Sequence, residues 1–181
     1  MLLVGYILDV RCNMIADLIF IGGAKGVGKT TLLHQLQQMT NLSCINTGEI
    51  FIYAKQNFLN PEEEICDYLL DTHYGLVDTH YAGYSSGQFV RGLSKENLFQ
   101  INLYKKMDFI LIELEPNLLL ERRFNDSNNK RIKEIRLINE EIKLNRTYFE
   151  EYCRELSING LIVQNLDINE TINILLRRIS K

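Results

Sequence analysis

Gly23, Gly28, Lys29 and Thr30 stand in the spacing G-x-x-x-x-G-K-[ST], inside "DLIFIGGAKGVGKTTLLHQLQ", and the chemistry of that spacing is the binding of a polyphosphate. Glycines take positive φ without a Cβ clash, so a short loop can turn several backbone N–H groups into one cavity. A helix beginning near Lys29 adds the positive end of its dipole and its unpaired N–H groups. Lys29 brings a point charge to the β- and γ-phosphates, and the Thr30 hydroxyl is placed to ligate Mg²⁺. The expected ligand is ATP with Mg²⁺.

A second candidate is "GLVDTH", Gly75 to His80. A carboxylate at the C-terminal end of an apolar strand beside the nucleotide strand can orient Mg²⁺-bound water or the attacking group, which makes Asp78 a catalytic and metal-binding candidate. Its alternative is to cap a turn. His80 is a substrate contact or a loop histidine. The third is Leu118 to Arg136, where Arg122, Arg123, Lys130, Arg131, Lys133 and Arg136 bracket the polar "NDSNN". Arginines on a flap that closes over phosphates stabilise transition-state charge and exclude water. A solvated helix face paired with Glu121, Glu134, Glu140 and Glu141 is the other reading of the same residues.

The elements that must hold these groups follow from the apolar pattern. "DLIFIG", "LSCIN", "GLVD", "MDFILIELE" and "GLIVQN" are short apolar runs between longer helical patterns, as in a parallel sheet covered by helices on both faces. Helices are expected from Thr30, from Pro61 with acids in its first turn, after Ser94, from Pro116, across about 131–156 as one helix or two, and from Asp167 to Ile179.

The 181 residues, 46% apolar and 24% charged, suit one domain with a sizeable core. A net charge of -3 gives no broad basic surface, so nucleic acid is not expected as a partner. Cys12, Cys44, Cys66 and Cys153 form no C-x-x-C pair and read as free thiols in a reducing cytosol, so the expected location is cytoplasmic. The apolar start, residues 1–16, lacks a leading basic region and is too short to span a bilayer. It reads as an N-terminal extension without an assigned function, followed by one phosphate-loop domain over 17–181, which the resemblance below makes a kinase domain.

In order, "GGAKGVGKTTL", "INTGEI", "VDTH", "LLLERRFND", "NR" at Asn145–Arg146 and "IVQN" resemble the nucleoside monophosphate kinases. The resemblance is closest to their archaeal-type adenylate kinase and adenylate kinase/ATPase branch. It implies a P-loop α/β/α fold with a five-stranded parallel sheet and a short lid at about 123–136. It implies that Gly23, Gly26, Val27, Gly28, Lys29, Thr30 and Thr31 hold the phosphates of ATP·Mg²⁺. Arg123 and Arg131 become the lid arginines, Asn165 lies at the adenine, and Thr47 and Gly48 face a nucleoside monophosphate acceptor.

Two departures from the family pattern stand out. The acceptor segment, about 47–73, is reduced and carries no arginine; Lys55 is the only lysine or arginine between Thr30 and Val90. A monophosphate normally calls for bidentate cationic recognition, which leaves Arg91 as the candidate. The lid has "NNKRIKE" where the family has R-x-R-[DE]. Beside a monophosphate kinase, two other readings therefore stand: an ATPase switch or assembly factor with a protein partner, and a kinase of a neutral hydroxyl-bearing acceptor.

Overall fold

The computed structural model of the chain describes residues 16–85, 87–126 and 131–180. Expectations for residues 1–15 and for Ser127 to Lys130, the centre of the lid segment, lie outside the described residues.

Strand β1 (Leu18–Gly22) is buried at every position and runs through the phosphate loop into α1 (Lys29–Thr40). The chain continues as β2 (Ser43–Asn46), α2 (Thr47–Gln56), α3 (Pro61–Asp71) and β3 (Gly75–Asp78). Next come a hairpin of β4 (Ala82–Ser85) and β5 (Gln88–Arg91), α4 (Lys95–Asn102) and β6 (Met107–Glu113). It closes through α5 (Pro116–Asn125), α6 (Ile135–Glu155), β7 (Leu161–Gln164) and α7 (Ile168–Ile179). The five apolar runs form a parallel five-stranded sheet in the order β2-β3-β1-β6-β7.

Alternation along the strands feeds two cores. Ile19, Ile21, Ile110 and Ile112 join Leu32, Leu36, Leu119 and Leu175 on one face. Leu18, Phe20, Phe109 and Leu111 join Leu69, Leu98, Phe149 and Tyr152 on the other. This is the three-layer architecture expected from strands that are apolar on both faces. Among the described residues, no helix is long and apolar enough to cross a membrane.

The strand order also fixes where a ligand goes. The chain leaving β1 goes to β2 on one side, whereas the chain leaving β3 passes to β6 on the other. In an open parallel sheet such a reversal opens a crevice at the carboxyl ends of the strands. Ile21 of β1 stands in register with Asp78 of β3, so the phosphate loop and the carboxylate leave the sheet side by side.

Candidate active site

The loop between β1 and α1 has its carbonyls gripped from outside. Lys29 Nζ donates to Gly23 O at 2.8 Å and Ala24 O at 3.5 Å. Arg123 donates to Lys25 O through Nε at 2.8 Å and Nη2 at 2.6 Å, and the Lys25 amide donates to Glu141 Oε1 at 2.9 Å. Val27 O accepts from Asn165 Nδ2 at 2.6 Å and from Arg122 Nη1 at 3.2 Å. With carbonyls held this way, the loop can offer amides to an anion, the need that nests and helix N-termini meet.

Backbone geometry makes the same demand at two glycines. Gly23 has φ +142° and a Cβ there would lie 2.2 Å from the Ile112 carbonyl; Gly28 has φ +100° and a Cβ there would lie 2.5 Å from Asn165 Nδ2. Gly28 is the N-cap of α1, has no side chain to satisfy the first-turn amides, and is followed by no acid in that turn. By contrast, α2, α3, α4, α5 and α7 all begin with a side-chain cap from Asn46, Asn60, Ser94, Glu115 and Asp167. The open amides of α1 face the place where a polyphosphate would sit.

A cavity of about 830 Å³ joins this loop to the N-terminus of α2. Gly26, Gly28, Lys29, Thr30 and Thr31 line one part of it, and Thr47, Gly48, Asp78 and His80 another. Arg122 and Arg131 line its outer side. Thr47 Oγ1 donates to Asp78 O at 3.0 Å and so ties α2 to the end of β3. His80 Nδ1 lies 2.9 Å from Gly23 O and 3.1 Å from Lys29 Nζ. Asn145, buried in α6, locks the following turn by accepting from the Tyr81 and Ala82 amides and donating to Ala82 O.

Two candidates lie elsewhere than expected. Arg123 is buried and bound to Lys25 O, Ile132 O and Glu141, so it braces the phosphate loop from behind and is not a flap arginine. Arg91 pairs with Glu151 at 2.6 Å and stacks on Tyr148 at 4.0 Å; it is not among the residues lining the cavity. Asn165 is buried and meets the loop with its side chain, while its carbonyl accepts from Arg122 Nη2 at 3.1 Å. Arg131 does overhang the loop, with Nη1 3.1 Å from where a Gly26 Cβ would stand, and it pairs with Asp126 at 2.5 Å. Sequence reasoning grouped Arg122 with its neighbours without choosing it, and set Glu141 among the carboxylates of a solvated helix face, whereas it is buried and pairs with Arg123. Both have signals: Arg122 is offset about 100° around α5 from the buried Arg123, and Glu141 lies in the buried stripe of α6 with Ile138 and Asn145.

Burial lowers the Lys29 ammonium to about 8, against the opposing pull of Asp78. Burial raises the Asp78 carboxyl above its ordinary range, with Lys29 acting the other way. A desolvated carboxylate and a threonine hydroxyl on one cavity are hard oxygen donors that suit Mg²⁺. No group of three or more His, Cys, Asp or Glu gathers for a metal among the described residues.

The Lys29 value fixes a pH dependence. The free protein loses the Lys29 proton as pH rises through about 8, whereas a bound triphosphate holds it. Binding above that pH must therefore take up a proton, and the ATP dissociation constant should rise toward tenfold per pH unit. Calorimetry at pH 7, 8 and 9 checks this: wild type should show the slope, and Lys29→Ala should be flat.

No protein-family model matches the chain. The adenylate kinase of Thermoplasma acidophilum is 31% identical over 150 residues, covering 73% of this chain and 80% of that protein. Among solved structures, Bacillus subtilis YorR in complex with phosphorylated GDP superposes with a TM-score of 0.65 at 16% identity, over 88% of this chain and 94% of that one. Acinetobacter baumannii shikimate kinase in complex with shikimate gives 0.59 at 14% identity, over 93% and 95%. These structural likenesses carry the fold alone.

Proposed function

The chain belongs to the adenylate kinase family and is a kinase, and on that premise we propose that it transfers the γ-phosphoryl group of ATP to a nucleoside monophosphate. The observation that carries the reading is the single cavity, with the phosphate loop at one side and the N-terminus of α2 at the other. Phosphoryl transfer asks little covalent chemistry of a protein; it asks that donor and acceptor be held in line and that developing charge be met. Lys29 and the loop amides would hold the β- and γ-phosphates, with Arg122 and Arg131 above them. Thr30 and Asp78 would hold Mg²⁺, which when bound neutralises phosphate charge. Thr47 and Gly48 would seat the acceptor.

One observation favours a second reading. The charged side chains nearest α2 in the cavity are the carboxylates Glu49 and Asp78, and Arg91 is occupied by Glu151. A dianionic phosphate is poorly served there, whereas a neutral hydroxyl could give its proton to Asp78. Labelled ATP offered with AMP, with other monophosphates and with nucleosides or polyols separates the two. Label in a diphosphate supports the first reading; label only in a nucleoside or polyol overturns it in favour of the second.

Asp78→Asn tests the shared part. The carboxamide keeps the shape but loses the charge, so the rate with Mg²⁺ should fall on the order of 10²-fold while ATP affinity changes only a few-fold. Pre-steady-state turnover beside equilibrium binding reads both numbers. An unchanged rate would leave Asp78 as an anchor for the turn after β3.

A further inference from the structure

Among the described residues, four cations line the cavity: Lys25, Lys29, Arg122 and Arg131. Three already have partners. Lys29 donates to Gly23 O and Ala24 O, Arg122 donates to Val27 O and Asn165 O, and Arg131 pairs with Asp126. Lys25 is exposed, and its ammonium has no hydrogen bond or ion pair among the described residues.

A lone surface lysine is ordinarily just solvated, but the backbone of this one is held in a particular way. Its amide is bound by Glu141 and its carbonyl by Arg123, both of them buried. The main chain of Lys25 is thus committed to α5 and α6, and its side chain is left to the cavity. At Gly26 the Cα faces α5 instead, where a Cβ would lie 3.1 Å from Arg131 Nη1 and 3.3 Å from Leu119 Cδ1. Glu141 stands one turn of α6 before Asn145, which donates to Glu141 O at 2.8 Å and accepts from the Tyr81 and Ala82 amides. One helical turn therefore fixes both the root of Lys25 and the segment that follows Asp78 and His80, and Lys25 rises at the border between the donor loop and the acceptor part of the cavity. Positive charge is scarce at that border. Toward α2 the charged side chains are Glu49 and Asp78, the acceptor segment has no arginine, and Arg91 is held by Glu151. A monophosphate brought there carries about two negative charges, and an ammonium on a flexible four-carbon stem can follow a phosphoryl group as it passes.

We propose that Lys25 is a catalytic residue of the transfer, its ammonium bridging the γ-phosphoryl group of ATP and the phosphate of a nucleoside monophosphate acceptor, where a cation of the acceptor segment would otherwise stand. An oxygen of the acceptor phosphate forms a bond to the γ-phosphorus as the bond from that phosphorus to the β–γ bridging oxygen breaks, and ADP leaves. Lys25 gives and takes no proton; it meets the charge that the two phosphates bring together. It does not duplicate Lys29, which lies over Gly23 O and Ala24 O on the donor side. The proposal rests on the monophosphate reading, because a neutral acceptor would need no second cation.

The test is Lys25→Met, which keeps an unbranched stem without the charge, beside Lys25→Arg. Both are made in the full chain and assayed with labelled ATP and the monophosphate that wild type turns over fastest. In Lys25→Met, kcat/KM for the monophosphate should fall on the order of 10²-fold, with its KM raised, while the ATP dissociation constant from calorimetry moves less than about threefold. The melting temperature should stay where it is, since the side chain is exposed and unpaired among the described residues. Lys25→Arg keeps the charge and should regain most of the loss. Unchanged kinetics in Lys25→Met overturn the proposal and leave a solvated lysine; a loss carried wholly by ATP affinity also overturns it and leaves a contact to the donor alone. If wild type labels no monophosphate, the monophosphate reading falls and takes this proposal with it. Equal transfer by wild type and Lys25→Met sinks the Lys25 assignment and leaves that reading standing.

Discussion

Lys29→Ala is expected to lower turnover by on the order of 10²- to 10³-fold while the protein stays folded. The side chain is the one cation buried within the loop itself, and its ammonium already carries a desolvation cost that brings it to about 8. Removing it relieves that cost, so thermal unfolding should not move downward by more than the loss of its contacts with Gly23 O, Ala24 O and His80 Nδ1. Charge on the transferring phosphoryl group has no such compensation, because the first-turn amides of α1 are fixed dipoles and Arg122 and Arg131 hold other partners. ADP formation and the melting curve, measured on the same preparation, separate the two effects. Full turnover in a folded variant would mean that the loop is not the phosphate site.

The contrast between Lys29 and the arginines says which parts of this site could be read from sequence. A phosphate loop is contiguous: its glycines, lysine and threonine follow one another, so the spacing alone carried its role and the structure places Gly28, Lys29, Thr30 and Thr31 on one cavity. β1 and β6 were equally plain, since a strand buried on both faces is an unbroken apolar run, whereas the edge strands β2 and β7 are partly exposed and showed only as short apolar runs between helical patterns. α2 escaped notice because only Thr47 and Ala54 of it are buried, and its exposed Phe51, Ile52 and Tyr53 hide the helical period. The β4–β5 hairpin was missed because four-residue strands around Gly87 give almost no alternation to read.

Arg123 departs from the lid expectation for a geometric reason. Arg122 and Arg123 are neighbours in sequence, yet successive residues of a helix point about 100° apart. Arg123 follows Leu119 by four and shares its buried face, so it was always bound for the interior. What the sequence withheld was which of the four candidate acids would meet it, and that the pair would be buried, since Glu141 lies on a second helix and 18 residues away. Periodicity could have marked both as polar groups on apolar stripes; only the packing of α5 against α6 shows that they meet.

That meeting leads to the largest expected loss of stability. The Lys25 peptide is held at both ends, its carbonyl by Arg123 and its amide by Glu141, and the two side chains pair at 2.8 Å with almost no solvent exposure. Arg123→Ala leaves Glu141 as an uncompensated buried charge, which costs roughly 3–5 kcal/mol. For a domain of this size that lowers the melting temperature by on the order of 10 °C. Because the same guanidinium fixes the loop, ATP affinity should fall as well, even though Arg123 does not line the cavity. The double variant Arg123→Met/Glu141→Leu separates the two consequences: with no charge left unpaired, most of the stability should return. The loop, lacking both of its clamps, should still bind ATP weakly. Equal recovery of stability and affinity would show that the pair serves the core alone and that the loop holds its shape without it.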